Sequence, residues 1–240
     1  MKPFIVLLLP LFLTACFKRN ESHVNERCTG NCLTFNISTS TGLNSATPLG
    51  HVDFELGWSR PATPWGDPGR LIAKGNTSDN GALTVTFTPQ DKELQPAGRY
   101  YVTVRKGNDY FTLNNFYYGI YRSDTIINAR IHVPEKATLK LVLKNYSPSS
   151  TNDAFEVTPS FDMYGSSGLP VEMKNAKGEP GNTFFFGNDA SFTRLELSGQ
   201  TAGDQFTYFT ILKKKNGIRT DANDSIYIAK GQTGTYEMEY

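Results

Sequence analysis

Short runs in which apolar and polar residues alternate constrain this chain more than any other feature. Leu33-Thr34-Phe35-Asn36-Ile37, Val52-Asp53-Phe54-Glu55-Leu56, Leu83-Thr84-Val85-Thr86-Phe87 and Tyr101-Val102-Thr103-Val104 each place their apolar side chains on one face of an extended backbone. Gly, Pro, Asn and Asp clusters separate the runs. After residue 16 no stretch of ten or more residues shows a clear helical period. The second half continues the pattern at residues 139–143, 192–197, 206–212 and 236–240. Short strands at such spacing predict an all-β chain of antiparallel sandwiches.

The two halves echo one another. Gln95-Pro96-Ala97-Gly98 returns as Gln200-Thr201-Ala202-Gly203, and Asp124-Thr125-Ile126-Ile127-Asn128-Ala129-Arg130 as Asp224-Ser225-Ile226-Tyr227-Ile228-Ala229-Lys230. The first strands, around Leu33 and Leu139, keep a similar offset. A shared order and offset predicts two tandem copies of one sandwich, residues 32–133 and 134–240. Convergent strand and turn grammar is the alternative source of the matches. Pro134 cannot donate to a sheet ladder, so a strand should end or switch sheets there.

The N-terminus reads differently. Lys2 is followed by an apolar stretch at residues 4–13, far short of the roughly 20 residues that span a bilayer. Leu13-Thr14-Ala15-Cys16 then closes it with small residues before a cysteine. Residues 1–15 resemble the signal peptide of bacterial lipoproteins. The resemblance implies cleavage before Cys16, a diacylglyceryl thioether on its sulfur and a further acyl chain on the new amino group. Two or more chains hold a protein stably to a membrane. No Asp follows Cys16, so the resemblance favours the outer membrane. Lys18 and Arg19 stand where surface-exported lipoproteins carry acidic residues, which favours the periplasmic face over the cell surface. Residues 16–31 read as a flexible tether; the span from Cys16 to Cys28 reaches about 40 Å when extended.

Charge excludes one class of partner. Lys2 is the only charge before Cys16, which leaves 23 basic and 23 acidic residues in the mature chain. Nucleic-acid binding carries a basic excess that is absent here. The single basic cluster, Lys213-Lys214-Lys215 beside Asn216-Gly217, reads as a solvated hairpin end. Of the other cysteines, Cys28 and Cys32 flank Thr29-Gly30-Asn31, and an oxidising envelope favours a disulfide between them. A copper or redox site at this spacing would need a βαβ setting and a His ligand, and neither is evident.

Pro48-Leu49-Gly50-His51-Val52-Asp53-Phe54-Glu55-Leu56, Thr77-Ser78-Asp79-Asn80-Gly81-Ala82-Leu83 and Pro96-Ala97-Gly98-Arg99-Tyr100-Tyr101-Val102-Thr103-Val104 together resemble the carboxypeptidase-regulatory-like, transthyretin-like modules. The resemblance covers residues 33–133. It implies a seven-stranded Ig-like sandwich that serves as an accessory or binding module and is not itself catalytic. The second half keeps only the tail of the pattern.

The first half departs from the compact form by an insertion at residues 57–70, whose three Pro and three Gly mark a loop. It holds both tryptophans. Trp58, Arg60, Trp65 and Arg70 are the candidate ligand-binding residues: exposed indoles stack on sugars, and guanidinium groups donate to hydroxyls or carboxylates. The alternative is that Trp58 ends its strand in the core and Trp65 packs the loop down. Tyr110-Phe111, residues 116–121 and Phe184-Phe185-Phe186 read as core and interface. Asp221-Ala222-Asn223-Asp224-Ser225 offers alternating oxygen ligands without the Gly and distal Glu of a calcium loop, and so reads as a turn. His23, His51 and His132 are scattered, and no nucleophile elbow, zinc motif or phosphate loop is present. No catalytic residue, metal site or cofactor is expected. The function expected is a lipid-anchored cell-envelope binding or assembly module with a protein or glycan partner. The alternatives are a carbohydrate-binding lipoprotein of a glycan-uptake system and a fimbrial anchor or assembly lipoprotein.

Overall fold

The computed structural model describes residues 28, 30–61, 69–164, 166–175, 177–181 and 183–240. The signal segment, the lipidation candidate Cys16, the tether before Cys28 and Trp65 lie outside the described residues. The chain is all-β.

Its first eight strands are β1 (Leu33–Thr41), β2 (Thr47–Pro48), β3 (Asp53–Ser59), β4 (Arg70–Asn76), β5 (Ala82–Phe87), β6 (Arg99–Arg105), β7 (Leu113–Tyr118) and β8 (Thr125–His132). The next ten are β9 (Lys136–Tyr146), β10 (Ala154–Met163), β11 (Ser166–Pro170), β12 (Met173–Lys174), β13 (Pro180–Gly181), β14 (Phe184–Phe186), β15 (Phe192–Ala202), β16 (Gln205–Lys215), β17 (Ile218–Ile228) and β18 (Thr233–Glu239).

Among the described residues four sheets result, and none of them mixes strands from before and after Pro134. In the first half β1 lies between β5 and β8, and a second sheet runs β4-β3-β6-β7. In the second half β9 lies between β15 and β18, and the other sheet runs β11-β10-β16-β17. The two halves thus share one strand order. In each, the first strand pairs antiparallel with a middle strand and in parallel with the last: Leu33↔Thr125 to Ser40↔His132, then Thr138↔Thr233 to Lys144↔Glu239. The chain therefore enters each half at one pole and leaves at the other.

Period-two alternation fills both cores. Leu33, Phe35 and Ile37 of β1 face Tyr100, Val102 and Val104 of β6, all at or near zero exposure. Phe35, Phe87, Tyr100 and Tyr118 pack ring to ring at centroid distances of 5.6–6.3 Å. Leu139, Leu141 and Leu143 of β9 and Phe155, Val157 and Phe161 of β10 do the same work in the second half. Turn residues fit their backbones. Asn216 and Gly217 take φ of 51° and 80° between β16 and β17, the left-handed pair of a two-residue hairpin. A Cβ on Gly81, at φ 75°, would lie 2.4 Å from the Thr39 carbonyl oxygen.

Three sequence expectations change. The segment Asp224–Lys230 sits in β17 and the turn after it, the place that corresponds to β7, so it is no counterpart of Asp124–Arg130 at β8. Asp221 to Ser225 form no turn; they run straight along β17, because the alternating side chains that resembled ligand spacing are the two faces of a strand. The connection expected at 57–70 begins later and ends earlier, since Gly57 to Ser59 and Arg70 are ladder residues, with Trp58 opposite Arg70.

A built joint links the halves around Pro134. The Phe111 N–H donates to the Pro134 carbonyl at 3.0 Å, and the Gly203 N–H to that of Glu135 at 2.7 Å. Phe111 packs on Phe161 with ring centroids 5.1 Å apart.

Candidate functional site

Trp58 closes the inward row begun by Phe54 and Leu56 and is 1% exposed. Its indole lies directly under Gly98, where a Cβ would come within 2.3 Å of the ring. The indole N–H finds no acceptor among the described residues. Trp58 is therefore a core residue and presents no face to a ligand.

Arg70 is engaged as well. Its Nη2 donates to Glu93 Oε2 at 2.8 Å, and its Nε stands 2.7 Å from Oε1. Glu93 is fully buried at the third position of a short 3-10 helix, Asp91–Leu94. Its carboxylate reaches back to the Gln90 N–H at 3.0 Å, the reciprocal pattern of a capping box. The Tyr100 hydroxyl also donates to it at 3.4 Å. Burial, with Glu93 beside it, holds the Tyr100 phenol far above its usual range. Arg70 thus neutralises a core carboxylate. Its role was hidden in the sequence because the partner lies 23 residues away on a different element.

Arg60 alone of the four candidates is described and free to meet a ligand. It is exposed and lines a shallow groove of about 390 Å³ with Pro61, Gly98, Arg99 and Tyr117. Tyr117 is 52% exposed. Two guanidinium groups beside a ring suit an acidic or hydroxyl-rich group. A larger cleft of about 670 Å³ opens at the joint, between the sheet edges of the second half, where Phe111, Phe161 and Leu169 face Glu172, Lys174 and Gln200.

Cys28 and Cys32 form a disulfide with Cα atoms 5.9 Å apart. Gly30 and Asn31, at φ 78° and 49°, turn the chain tightly enough to close it. The Cys32 N–H donates to Asp124 Oδ1 at 3.1 Å, which fixes the loop to the start of β8.

The two described histidines, His51 and His132, do not converge, and His23 lies outside the described residues. His51 is exposed at φ 53° and pairs with Asp79 at 3.1 Å. His132 is buried in the joint: Ser45 Oγ lies 2.9 Å from Nδ1 and Gln205 Oε1 3.2 Å from Nε2. The Gln205 amide donates to the Asp162 carbonyl, so its oxygen accepts from the His132 Nε2–H, and Nδ1 accepts from Ser45. Burial pushes the imidazole below its ordinary value. Among the described residues no three of His, Cys, Asp and Glu come together as metal ligands would.

No family model and no curated protein matches the chain. Solved structures do align with it. The shaft pilin SpaA of Lactobacillus rhamnosus GG is 13% identical over 87% of this chain and 97% of its own, with a TM-score of 0.33. The major pilin SpaD of Corynebacterium diphtheriae is 13% identical over 81% and 66%, at 0.31. A family CBM26 domain of Eubacterium rectale Amy13K, solved with maltoheptaose, is 10% identical over 87% and 92%, at 0.24. At these scores the likenesses add nothing to what the sheet order establishes.

Proposed function

We propose that the chain is a non-catalytic, lipid-anchored module of the cell envelope that displays a binding surface to a glycan or protein partner. The observation that carries this reading is the parallel pairing of β1 with β8. The Cys28–Cys32 loop lies at one pole of the first half, and His132 hands the chain to the second half at the opposite pole. A lipid on Cys16 would then hold the first half near the bilayer and project the second outward. Outer-membrane attachment at the periplasmic face is part of the proposal. Its support is the Leu13-Thr14-Ala15-Cys16 motif and the Lys18 and Arg19 that follow it.

The experiment is metabolic labelling with a fatty acid, followed by membrane fractionation. The wild type should carry label and sediment with outer membranes. Cys16→Ser should carry none and stay unprocessed or soluble; label on that variant overturns the anchor. We also propose that the halves are separate folding units. A fragment beginning at Lys136, the first residue of β9, should fold alone with β-rich circular dichroism.

A further inference from the structure

We infer that the outer face of β16 and β17 is a stacking platform for a neutral polysaccharide chain. The inference rests on the binding part of the function above and is independent of the lipid anchor. On β16, Gln205, Thr207, Phe209 and Ile211 point inward and are buried, so Phe206, Tyr208 and Thr210 point outward. The antiparallel register sets Phe206 opposite Tyr227, Tyr208 opposite Ser225 and Thr210 opposite Asn223. Phe206, Tyr208 and Tyr227 are 38%, 40% and 48% exposed, an unusual concentration of open rings on one rigid sheet. They touch one another, with the Phe206 ring 6.3 Å from Tyr208 and 5.6 Å from Tyr227.

The chemistry around the rings selects the ligand. Across β10 the same rows continue with Ser160 opposite Tyr208 and Thr158 opposite Thr210. The rings are thus flanked by hydroxyls and an amide. The Tyr208 hydroxyl donates to Asp162, the only charge beside the rings in these rows. Cations first appear two rows further along, at Lys214 and Arg219, and Arg219 is held by Asp221 at 2.9 Å. The ring rows, with aromatic rings, hydroxyls, one carboxylate and no cation, and with the carboxylates of Glu156 and Asp221 in the next row, repel polyanions. They match a pyranose, which offers C–H faces to rings and hydroxyls to side-chain oxygens. Protein-binding patches have a different composition, with Ser and Asp depleted among the aromatic anchors. The rows from Phe206 to Thr210 extend about 13 Å along the strand, more than one sugar ring requires. The free edge of β17 is guarded against strand addition by Arg219, Asp221 and Asp224.

The test is affinity electrophoresis of the full chain, extracted in a detergent without a sugar headgroup. The gels carry starch, mannan, xylan or a mixed-linkage β-glucan, with polygalacturonate as the anionic control. At least one neutral polymer should retard the protein and polygalacturonate should not. Phe206→Ala and Tyr227→Ala should each weaken retardation at least tenfold with the melting temperature unchanged. Tyr117→Ala, in the first-half groove, should leave it intact. If Phe206→Ala does not fold, Tyr227→Lys carries the same test. Retardation by none of the neutral polymers, or retardation lost in Tyr117→Ala and kept in Tyr227→Ala, overturns the proposal. So does a concentration-dependent dimer in sedimentation that Tyr227→Ala dissolves, since the face would then dock a second copy. Lipid labelling at Cys16 has no bearing on this gel, so the two proposals fail separately.

Discussion

Each half of this molecule buries a carboxylate near one of its poles, and each compensates it by different means. Glu93 in the first half is neutralised by a cation, the Arg70 guanidinium. Asp153 in the second half is 3% exposed and is met by the chain itself. Its oxygens accept from the Ser149, Ser150 and Asn216 N–H groups at 2.8, 3.2 and 2.7 Å, and from the Ser149 hydroxyl at 3.3 Å. Those backbone N–H bonds hold the Asp153 carboxyl below its ordinary range. The contrast separates two kinds of dependence. Compensation by a side chain can be deleted by one substitution. Compensation by peptide dipoles persists as long as the turn does, and it pins residues 149–153 to the β16–β17 hairpin.

Arg70→Met should give the largest effect, because it leaves Glu93 buried and uncompensated. A loss of about 3–5 kcal/mol in urea unfolding is expected, similar to the roughly 3–5 kcal/mol for Trp58→Ala, which empties the core beside it. A loss under about 1 kcal/mol for Arg70→Met would show that the Gln90 N–H and the Tyr100 hydroxyl suffice, and the contrast would collapse. Asp153→Asn sharpens the other side. The wild-type carboxyl titrates lower folded than unfolded, so its contribution is complete above the ordinary carboxylate value and fades as pH falls below about 4. Melting temperature against pH should show that acid loss in the wild type and less of it in Asp153→Asn.

A smaller effect belongs to the joint. His132 also titrates lower folded than unfolded, here because burial disfavours the imidazolium. The unfolded chain takes up its proton first, so stability should fall as pH drops below about 6.5. His132→Asn should flatten that limb; an unchanged limb would remove the joint as its source. Cys32→Ser should cost least, about 2 kcal/mol, since a loop this short closes little entropy. Thiol trapping of envelope protein should find Cys28 and Cys32 oxidised.

The inward faces were legible because a period of two survives in the sequence wherever one side of a strand is buried. Trp58 follows Phe54 and Leu56 by that rule and reaches the core. The strand β10 was missed for an identifiable reason. Pro159 lies in its middle, and proline argues against an interior strand. The structure tolerates it because residue 159 faces the β11 side. Its carbonyl accepts from the Val171 N–H there, so the missing N–H removes nothing from the ladder to β16. The strand β17 was missed because it is an edge exposed along most of its length, so polar residues occupy both faces over 219–225 and imitate ligand spacing. The candidate site was half legible. Composition marked the loop with two tryptophans, but only a cross-strand register reveals that Arg70 stands opposite Trp58 and reaches Glu93. The platform on β16 and β17 was invisible for the same reason: Phe206 and Tyr227 are 21 residues apart and meet only through their register.

The parallel pairing of first and last strands also decides how the molecule bears load. A pull between the tether and the far end draws β1 by its beginning and β8 by its end, in opposite directions along neighbouring strands. The ladder is then sheared, so its bonds resist together instead of parting one after another from an end. β9 and β18 repeat the arrangement in the second half, from Thr138↔Thr233 to Lys144↔Glu239. Under tension the lifetime of a fold follows its unfolding rate, not its equilibrium stability. The two halves form a series of shear-loaded clamps, a construction that fits the anchored binding role proposed above.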